Sequence, residues 1–253
     1  MTEPHERPDN VPHTAGSLPA PSDGRLRPFD AVIFDVDDTL TLDNSAAELL
    51  TALGIPLRRL GELIRESESG RISQAVADQH LLDLLTSTGR ISRTAAETVF
   101  SKIRLRPSVT PMIRTVQQAG LRVGLISASF STYVEHMAVR LGVTDRYSNV
   151  QLGFDDTGAL ISVDFTIDAA GLKHRQLHDF CARHQLRPSR VLVVGDNEYD
   201  LQMFACTGHG VLMACPHNTE LHQHAWRVIE RIDDLAAFTA APTPRRNDAR
   251  PLA

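Results

Sequence analysis

The stretch FDVDDTLT, from Phe34 to Thr41, decides the fold class of this chain. It begins at the end of AVIF, a continuous apolar run of the kind that forms a strand covered on both faces, as in a parallel sheet. Three later runs have the same character: RVGLIS ending at Ser127, RVLVVG ending at Gly195 and GVLMA after His209. Helical patterns separate them, namely VTPMIRTVQQAG, STYVEHMAVRLG and LKHRQLHDFCARH. This alternation predicts an α/β fold with a doubly wound, Rossmann-like parallel sheet as its core.

One segment interrupts the alternation of strands and helices. Residues 44–106 carry only helical patterns, among them SAAELLTALG, LRRLGELIRES, ISQAVADQHLLDLL and SRTAAETVFSKI. We expect a small inserted α-helical cap there, placed over the carboxyl edge of the sheet, and a catalytic core made of 29–43 and 107–239. Within that core, the turn DDTGAL joins a short antiparallel strand pair. Residues 1–28 and 240–253 have few apolar side chains and are predicted to be flexible tails, the first without the apolar segment of a secretory signal.

Composition limits the class of protein. The 253 residues are 42% hydrophobic, enough for one core with one inserted subdomain. The net charge of −5, with both signs mixed, argues against a nucleic-acid partner, and no apolar run is long enough to span a bilayer. Cys181, Cys206 and Cys215 are an odd number of cysteines without CxxC spacing, which is typical of free thiols in a reducing compartment. We therefore expect a soluble cytoplasmic protein; its oligomeric state is left open.

Two acids at the end of the first predicted strand indicate a metal site. In an open α/β sheet, ligands bind just beyond the strand ends, where Asp35 and Asp37 lie. Two carboxylates so close together repel each other unless a cation or a shared proton relieves them, and Mg²⁺ prefers such oxygen ligands. Acids at strand ends are also common helix N-caps, so the motif alone leaves both interpretations open.

Three further positions fall where the same edge of the sheet is expected. Ser127 ends the second strand, where its hydroxyl and the backbone N–H of Ala128 can hold phosphate oxygens before a helix. Lys173 opens a later helix and can supply a positive charge, and VVGDNEYD places Asp196 at a strand end with Asp200 four residues on. Each residue alone is more simply a cap or a surface side chain. Their occurrence together, in this order, favours a phosphate- and metal-binding site.

This series of motifs resembles the haloacid dehalogenase superfamily. The carrying residues are DxDxT at Asp35 to Thr39, the strand-end Ser127, Lys173 and GDxxxD at Gly195 to Asp200. The helical insert, SASFSTYVEHMAVRLG and GDNEYDLQMF are similar to the phosphoserine-phosphatase branch. The resemblance covers about 29–235, nearly the whole chain between the predicted tails.

The resemblance implies a two-step phosphoryl transfer. Asp35 would be the nucleophile that forms an aspartyl-phosphate, and Asp37 the general acid and base. Mg²⁺ would be bound by Asp35, the backbone carbonyl of Asp37 and Asp196, with Asp200 supporting it through water. An acid at position 37 favours ester hydrolysis over dehalogenation, because an alkoxide leaving group needs a proton and a halide does not.

The same resemblance implies how the phosphate is held. Ser127, the backbone of Ala128 and Lys173 would bind the phosphoryl oxygens, and Thr39 would hold the motif loop. The implied protein is a magnesium-dependent phosphomonoester hydrolase that acts on a small phosphorylated metabolite.

The cap departs from the phosphoserine enzymes, which read the serine head group with a Glu just after the first motif and an Arg further into the cap. Alignment places Asn44 at the Glu position and Gln79, with His80 beside it, at the Arg position. Neutral amides suit hydroxyl-rich ligands, so we expect a sugar or polyol phosphate. Alternatives stay open: a phosphoserine phosphatase with altered reading residues, in which Asp43 replaces the missing acid, a phosphotransferase, or a non-catalytic binding protein of this fold.

His174 and His178 lie four residues apart on one predicted helix, a spacing that can bind a metal. Because the sequence shows no third ligand, we interpret them as solvated surface histidines.

Overall fold

The computed structural model describes residues 28–89 and 91–239. The predicted tails therefore lie outside the described residues, except Pro28. The strands are β1 Ala31–Phe34, β2 Arg122–Ile126, β3 Asp145–Tyr147, β4 Gln151–Phe154, β5 Leu160–Asp164, β6 Val191–Gly195, β7 Gly210–Met213 and β8 Arg227–Ile229. The helices are α1 Ser45–Ala52, α2 Leu57–Glu68, α3 Gln74–Thr86, α4 Arg93–Ser101, α5 Val109–Gln118, α6 Ser131–Leu141, α7 Ala169–His184, α8 Leu201–Thr207 and α9 Ala236–Thr239.

A six-stranded parallel sheet in the order β3-β2-β1-β6-β7-β8 forms the core and confirms the α/β, Rossmann-like prediction. Strand β1 lies between β2 and β6, with Phe34 level with Leu125 on one side and Val194 on the other. Consequently the residues that follow these three strands emerge together at one edge of the sheet.

Both faces of the sheet are covered. Along β1, Val32 and Phe34 pack into one hydrophobic cluster, whereas Ala31 and Ile33 pack into the other. All four side chains are fully buried, as the continuous apolar run predicts. Burial of a large apolar side chain contributes about 1.5–3 kcal/mol, so the strand that carries Asp35 is firmly anchored.

The segment between β1 and β2 is helical, from α1 to α5. The chain leaves the core at 40–42 and returns to it at 104–106, and these two antiparallel segments are called the passages below. In them, the Leu42 N–H donates to the Arg104 carbonyl (2.9 Å) and the Arg106 N–H donates to the Leu40 carbonyl (2.8 Å). We propose 44–106 as the cap, because the chain leaves and re-enters the core at these passages. The pair β4–β5 is antiparallel, as the turn signal predicts, and β5 packs against α3.

Two edge strands, β3 and β8, have only three residues each. Strand β3 was not predictable from sequence, because a DRY tripeptide with no buried side chain carries no strand pattern. Within the described ranges, no helix combines the length and the apolarity needed to cross a membrane.

Candidate active site

A buried ion cluster lies at the carboxyl edge of the sheet. Asp35 is 2% exposed and Lys173, in the first turns of α7, is 1% exposed. The Lys173 Nζ donates to Asp35 Oδ1 (2.7 Å) and to Asp200 Oδ1 (2.8 Å). Asp35 Oδ2 is buried and has no hydrogen-bond partner among the described residues. One oxygen of Asp35 is thus fixed by the lysine, and the other is available to a ligand.

The charge balance of the cluster favours a cation. Carboxylate oxygens of Asp35, Asp196 and Asp200 lie within 4.8 Å of one another, against the single ammonium of Lys173. Burial, and then the charges of Asp200 and Asp196, raise the pKa of Asp35 well above its usual range, although Lys173 opposes the shift. Burial and the neighbouring Asp200 raise the pKa of Asp196 to about 7. Burial lowers the pKa of Lys173, but Asp200 and Asp35 outweigh this effect and the net shift is upward.

The donor set suits Mg²⁺. The three acids offer hard oxygen ligands, and the unpartnered Asp35 Oδ2 supplies a free lone pair in the same cluster. A divalent cation would neutralise the excess of negative charge that the single lysine leaves.

The loop after β6 is held by its own side chains. Asp200 Oδ2 accepts from the backbone N–H of Asp196 (3.1 Å), and Thr39 Oγ1 donates to Asp196 Oδ1 (3.0 Å). A Cβ at Gly195 would collide with the Asp200 carboxylate, so a larger residue at the end of β6 would displace that side chain from its hydrogen bonds. The buried Asn218 donates to the Asp196 carbonyl (2.6 Å) and the Met213 carbonyl (2.9 Å), a supporting role that the sequence analysis missed.

Asp37 is the second acid of the first motif. Its Oδ1 accepts from the Ser45 N–H (2.9 Å) and its Oδ2 from Ser45 Oγ (2.5 Å). Burial raises the pKa of Asp37, and the hydrogen bonds from Ser45 oppose that rise. The backbone carbonyl of Asp37 accepts from the Thr39 N–H (2.6 Å). Ser45, which also contacts Ser129 Oγ, was not predicted, because a serine at a helix start has no distinguishing sequence signal.

The predicted phosphate-binding residues lie beside this cluster. Ser127 is 1% exposed, and Ser127 and Ala128 both line the cavity that contains Asp35. They precede α6, where the N–H groups of Ser129 and Ser131 donate to Ser127 Oγ (3.3 Å) and to the Val150 carbonyl (2.7 Å). Asp35, Asp37, Thr39, Ser127, Ala128, Lys173, Asp196 and Asp200 are therefore brought to one edge of the sheet by four separate chain segments.

The cap residues correct the sequence interpretation. Asn44 lines the cavity, but its Oδ1 caps α1 by accepting from the N–H groups of Ala46 and Ala47 (both 3.2 Å), and its Nδ2 donates to Asp38 Oδ2 (2.9 Å). It is a helix N-cap whose polar atoms are already paired.

Gln79 and His80 are not among the residues that line the cavity, so the structure does not bring these two predicted substrate-reading residues to the site. Both are exposed on α3, and Gln79 donates to Asp83 Oδ1 (2.7 Å). The face of α3 that is turned inward carries Ala77 and Leu81 instead. The alternative acid Asp43 is paired with Arg104, whose Nε donates to Asp43 Oδ2 (2.9 Å).

A cavity of about 290 Å³ lies between the helical segment and the sheet edge. Its lining is mostly apolar, with Ala46, Leu57, Leu60, Leu63, Ile64, Leu81, Phe130, Val150, Phe165 and Ile167, and it also includes the polar residues Ser67, Asn149, Thr166, Asn197 and Tyr199. Besides the core acids and Lys173, the charged lining residues are Asp38 and Glu68, and Glu68 accepts from the Tyr199 hydroxyl (3.2 Å). No arginine is among the described residues that line this cavity.

The fold and the site together define an α/β protein with an acidic, cation-suited centre at the carboxyl edge of its sheet. Residues 29–208 match the haloacid dehalogenase-like hydrolases, and the chain belongs to this family. The chain is 25% identical over 183 residues to phosphoserine phosphatase SerB2 of Mycobacterium tuberculosis, covering 71% of this chain and 43% of that protein. It is also 25% identical over 203 residues to the phosphoserine phosphatase of a Polaromonas species, covering 76% and 82% of the two chains.

The chain spans about half the length of some relatives that it matches, such as SerB2 and the Archaeoglobus fulgidus phosphoserine phosphatase. Among solved structures, it superposes on a family hydrolase from Salmonella enterica with a TM-score of 0.71 at 18% identity, covering 84% of this chain and 72% of that one. A substrate-bound phosphoserine phosphatase complex gives a TM-score of 0.66 at 19% identity, covering 84% and 99%. These structures are similar in fold.

Proposed function

We propose that this protein is a magnesium-dependent phosphomonoester hydrolase that works through an aspartyl-phosphate on Asp35. The observation that carries the proposal is the buried Asp35, with one oxygen held by Lys173 and the other unpartnered, in the same cavity as Ser127. The chain's membership in a hydrolase family and its similarity to relatives named as phosphatases support the same activity.

The chain's own residues support two balanced steps. Asp35 Oδ2 would attack phosphorus while the bond to the leaving oxygen breaks, and Asp37 would give its proton to that oxygen. Water would then attack the aspartyl-phosphate, return a proton to Asp37 and release phosphate. Burial raises the pKa of Asp37, which is the direction that favours a general acid.

Positive charge and N–H groups would hold the phosphoryl oxygens. Lys173 and Ser127 lie beside Asp35, and the backbone of Ala128 follows. Asp35, Asp196 and the carbonyl of Asp37 would hold Mg²⁺, with Asp200 supporting. When bound, the ion would neutralise charge on the transferred group.

For the leaving group, we propose an alcohol that is largely apolar. The sugar or polyol preference depended on Asn44 and Gln79, and both are engaged elsewhere. Apolar side chains predominate in the lining, and the polar Ser67, Asn149 and Tyr199 already hydrogen-bond within the protein, so a hydroxyl-rich leaving group would find few free partners. A binding protein without catalysis would not need the complete set of reacting residues that this site retains.

Phosphoserine is the second candidate, favoured by the names of the relatives. Its carboxylate would need a cation other than Lys173, and the described lining residues include no arginine to supply one. Glu68 could bind the amino group of phosphoserine, but the carboxylate would have no ion-pair partner in the lining. The cytoplasmic location stays a prediction, as does water rather than another acceptor in the second step.

One experiment tests both levels of the proposal. Phosphate release with Mg²⁺ is measured for a homologous series of n-alkyl phosphates, a polyol phosphate, a sugar phosphate and phosphoserine, with Asp35→Asn as the background. We expect kcat/KM to rise up to about fourfold per added methylene until the cavity is filled, since each buried CH₂ contributes about 0.8 kcal/mol. Leu60→Gln should flatten this dependence on chain length and leave the shortest ester unaffected.

The outcomes separate the two claims. A best kcat/KM for phosphoserine or for the polyol ester would refute the apolar leaving group and leave the hydrolase intact. Activity of the unaltered protein no greater than that of Asp35→Asn on every ester would refute the hydrolase itself.

A further inference from the structure

Three potential metal ligands converge on the outer side of α7 and α8, apart from the acidic cluster. His174 and His178 occupy positions i and i+4 of α7, with their Nε2 atoms 3.2 Å apart. Cys206, on α8, places its Sγ 3.6 Å from His178 Nε2. Ligand atoms of all three residues lie within 4.8 Å of one another, and all three are at least partly accessible to solvent.

These separations agree with tetrahedral zinc. Zn–N bonds of about 2.0–2.1 Å and a Zn–S bond of about 2.3 Å, at tetrahedral angles, place two nitrogens about 3.3–3.4 Å apart and a nitrogen and a sulfur about 3.6 Å apart. The observed 3.2 Å between the histidine nitrogens and 3.6 Å between Sγ and His178 agree with both values. The i,i+4 spacing places both imidazoles on one helix face, and Cys206 of the neighbouring α8 approaches His178 there.

We propose that His174, His178 and Cys206 form a site for a borderline-soft divalent cation, Zn²⁺ above all. The two imidazoles and the thiolate suit zinc and exclude Mg²⁺, which prefers oxygen ligands. Three protein ligands leave the fourth position open to water or to a ligand from solvent. Binding displaces the proton of the thiol, and no electron transfer is involved.

The position of the site gives it a structural consequence. Helix α7 carries Lys173 on its buried side, directly before His174, and α8 follows Asp200. A metal shared by the two helices would therefore fix the relative position of the lysine and one of its carboxylate partners. The site could not be predicted from sequence, because Cys206 lies 28 residues after His178 and the two positions form no known ligand spacing.

The test uses untagged, reduced protein with Mg²⁺ in excess, so that hard ligands are already occupied. Titration with Co²⁺ should give a thiolate-to-metal charge-transfer absorbance that saturates at one ion per chain. Zn²⁺ should displace the cobalt and, at 100 times its Kd, raise Tm by about 5–10 °C. Cys206→Ser should abolish the charge-transfer band, and His178→Gln should weaken Zn²⁺ binding at least tenfold.

Cys215→Ser is the matched control, since Cys215 is a free cysteine outside the cluster and this variant should keep both responses. A measurement on the unaltered chain protects the test against unfolded variants: Zn²⁺ should shield Cys206 from alkylation and leave Cys215 reactive. A cobalt band that survives Cys206→Ser, or equal alkylation of Cys206 with and without Zn²⁺, would show a hydrogen-bonded cluster only and overturn the proposal.

Discussion

At the scale of single residues, the environment of Asp37 differs from that of Asp35. Asp35 is paired with a lysine, whereas Asp37 accepts two hydrogen bonds from Ser45 and has no cation beside it in the hydrogen-bond network of the described residues. Burial raises the pKa of Asp37 because no positive charge compensates the desolvation. Burial raises the pKa of both carboxylates, so what distinguishes them is the ammonium of Lys173, which favours the ionised form of Asp35. We propose that Asp37, without such a partner, is the acid that transfers a proton.

Asp37→Asn should therefore slow turnover of alkyl esters by about 10²–10⁴-fold, the usual contribution of a general acid and base. The loss should be much smaller for p-nitrophenyl phosphate, whose leaving group departs with little protonation. The measurement is kcat/KM for both kinds of ester, with Asp35→Asn as the control that removes both activities. Equal losses on the two kinds of ester would mean that Asp37 serves structure and does not transfer a proton.

The site residues differed in how far sequence could predict them. Asp35, Lys173 and Asp196 were predictable because they follow strands or open a helix at fixed motif spacing. Ser45 and Asn218 were not, because each acts through hydrogen bonds to residues far away or to backbone atoms. A serine at a helix start, or an asparagine in a loop, has the same local sequence whether it supports a site or faces solvent.

At the scale of elements, α3 shows how a family alignment and the helical period can predict different positions for the same residue. Its sequence QAVADQHLLDLL predicted a helix, and the apolar spacing of Ala77, Leu81 and Leu84 already indicated which face is buried. Gln79 lies on the opposite face by this spacing. Alignment to the phosphoserine enzymes moved it to the site, and the helical period was the better guide.

The two passages between core and helices form another element with a function of its own. Arg104 donates to Asp43 from its Nε and Nη2, and the Arg104 backbone N–H adds a third hydrogen bond to Asp43 (3.0 Å). The hydrogen bonds that Asp43 accepts from Arg104 lower its pKa to about 2. The Asp43–Arg104 pair therefore links the segment that leaves the core to the segment that returns to it.

Asp43→Asn should lower the urea midpoint of unfolding slightly at pH 7. The folded-state pKa lies below the unfolded value, so the stabilisation is complete above about pH 4 and is lost as pH falls towards 2. The difference between wild type and variant should accordingly shrink between pH 4 and pH 2. Glu135→Gln, which removes a carboxylate paired with Arg146 outside these passages, serves as the control and should show a smaller effect. A difference that stays constant over this interval would exclude the carboxylate charge as its source.

At the scale of the whole molecule, folding assembles a repulsive site. Residues from the ends of β1 and β6 place Asp35, Asp196 and Asp200 within 4.8 Å of one another, and within 28–89 and 91–239 only Lys173 forms ion pairs with this group. Such a group of acids lowers the stability of the fold unless a cation is bound, because buried like charges repel in a medium of low dielectric constant. Strand–helix alternation in the sequence predicted the fold class. It did not predict this repulsion, because Asp35 lies far from Asp196 and Asp200 in sequence and only folding brings them together.

Mg²⁺ should therefore stabilise the protein, and Asp196→Asn should lose most of this stabilisation. At ten times its Kd, Mg²⁺ adds about 1.4 kcal/mol, which raises Tm by about 3–6 °C for a chain of this size, and EDTA should remove the gain. Without metal, Asp196→Asn should melt at or above the temperature of the wild type, because one acid of the cluster is neutral; with Mg²⁺ it should gain little. Thermal melts of both proteins, with and without Mg²⁺, make the measurement, and Cys206→Ser should respond to Mg²⁺ as the wild type does. If Asp196→Asn gains as much from Mg²⁺ as the wild type, the three acids are not the magnesium site.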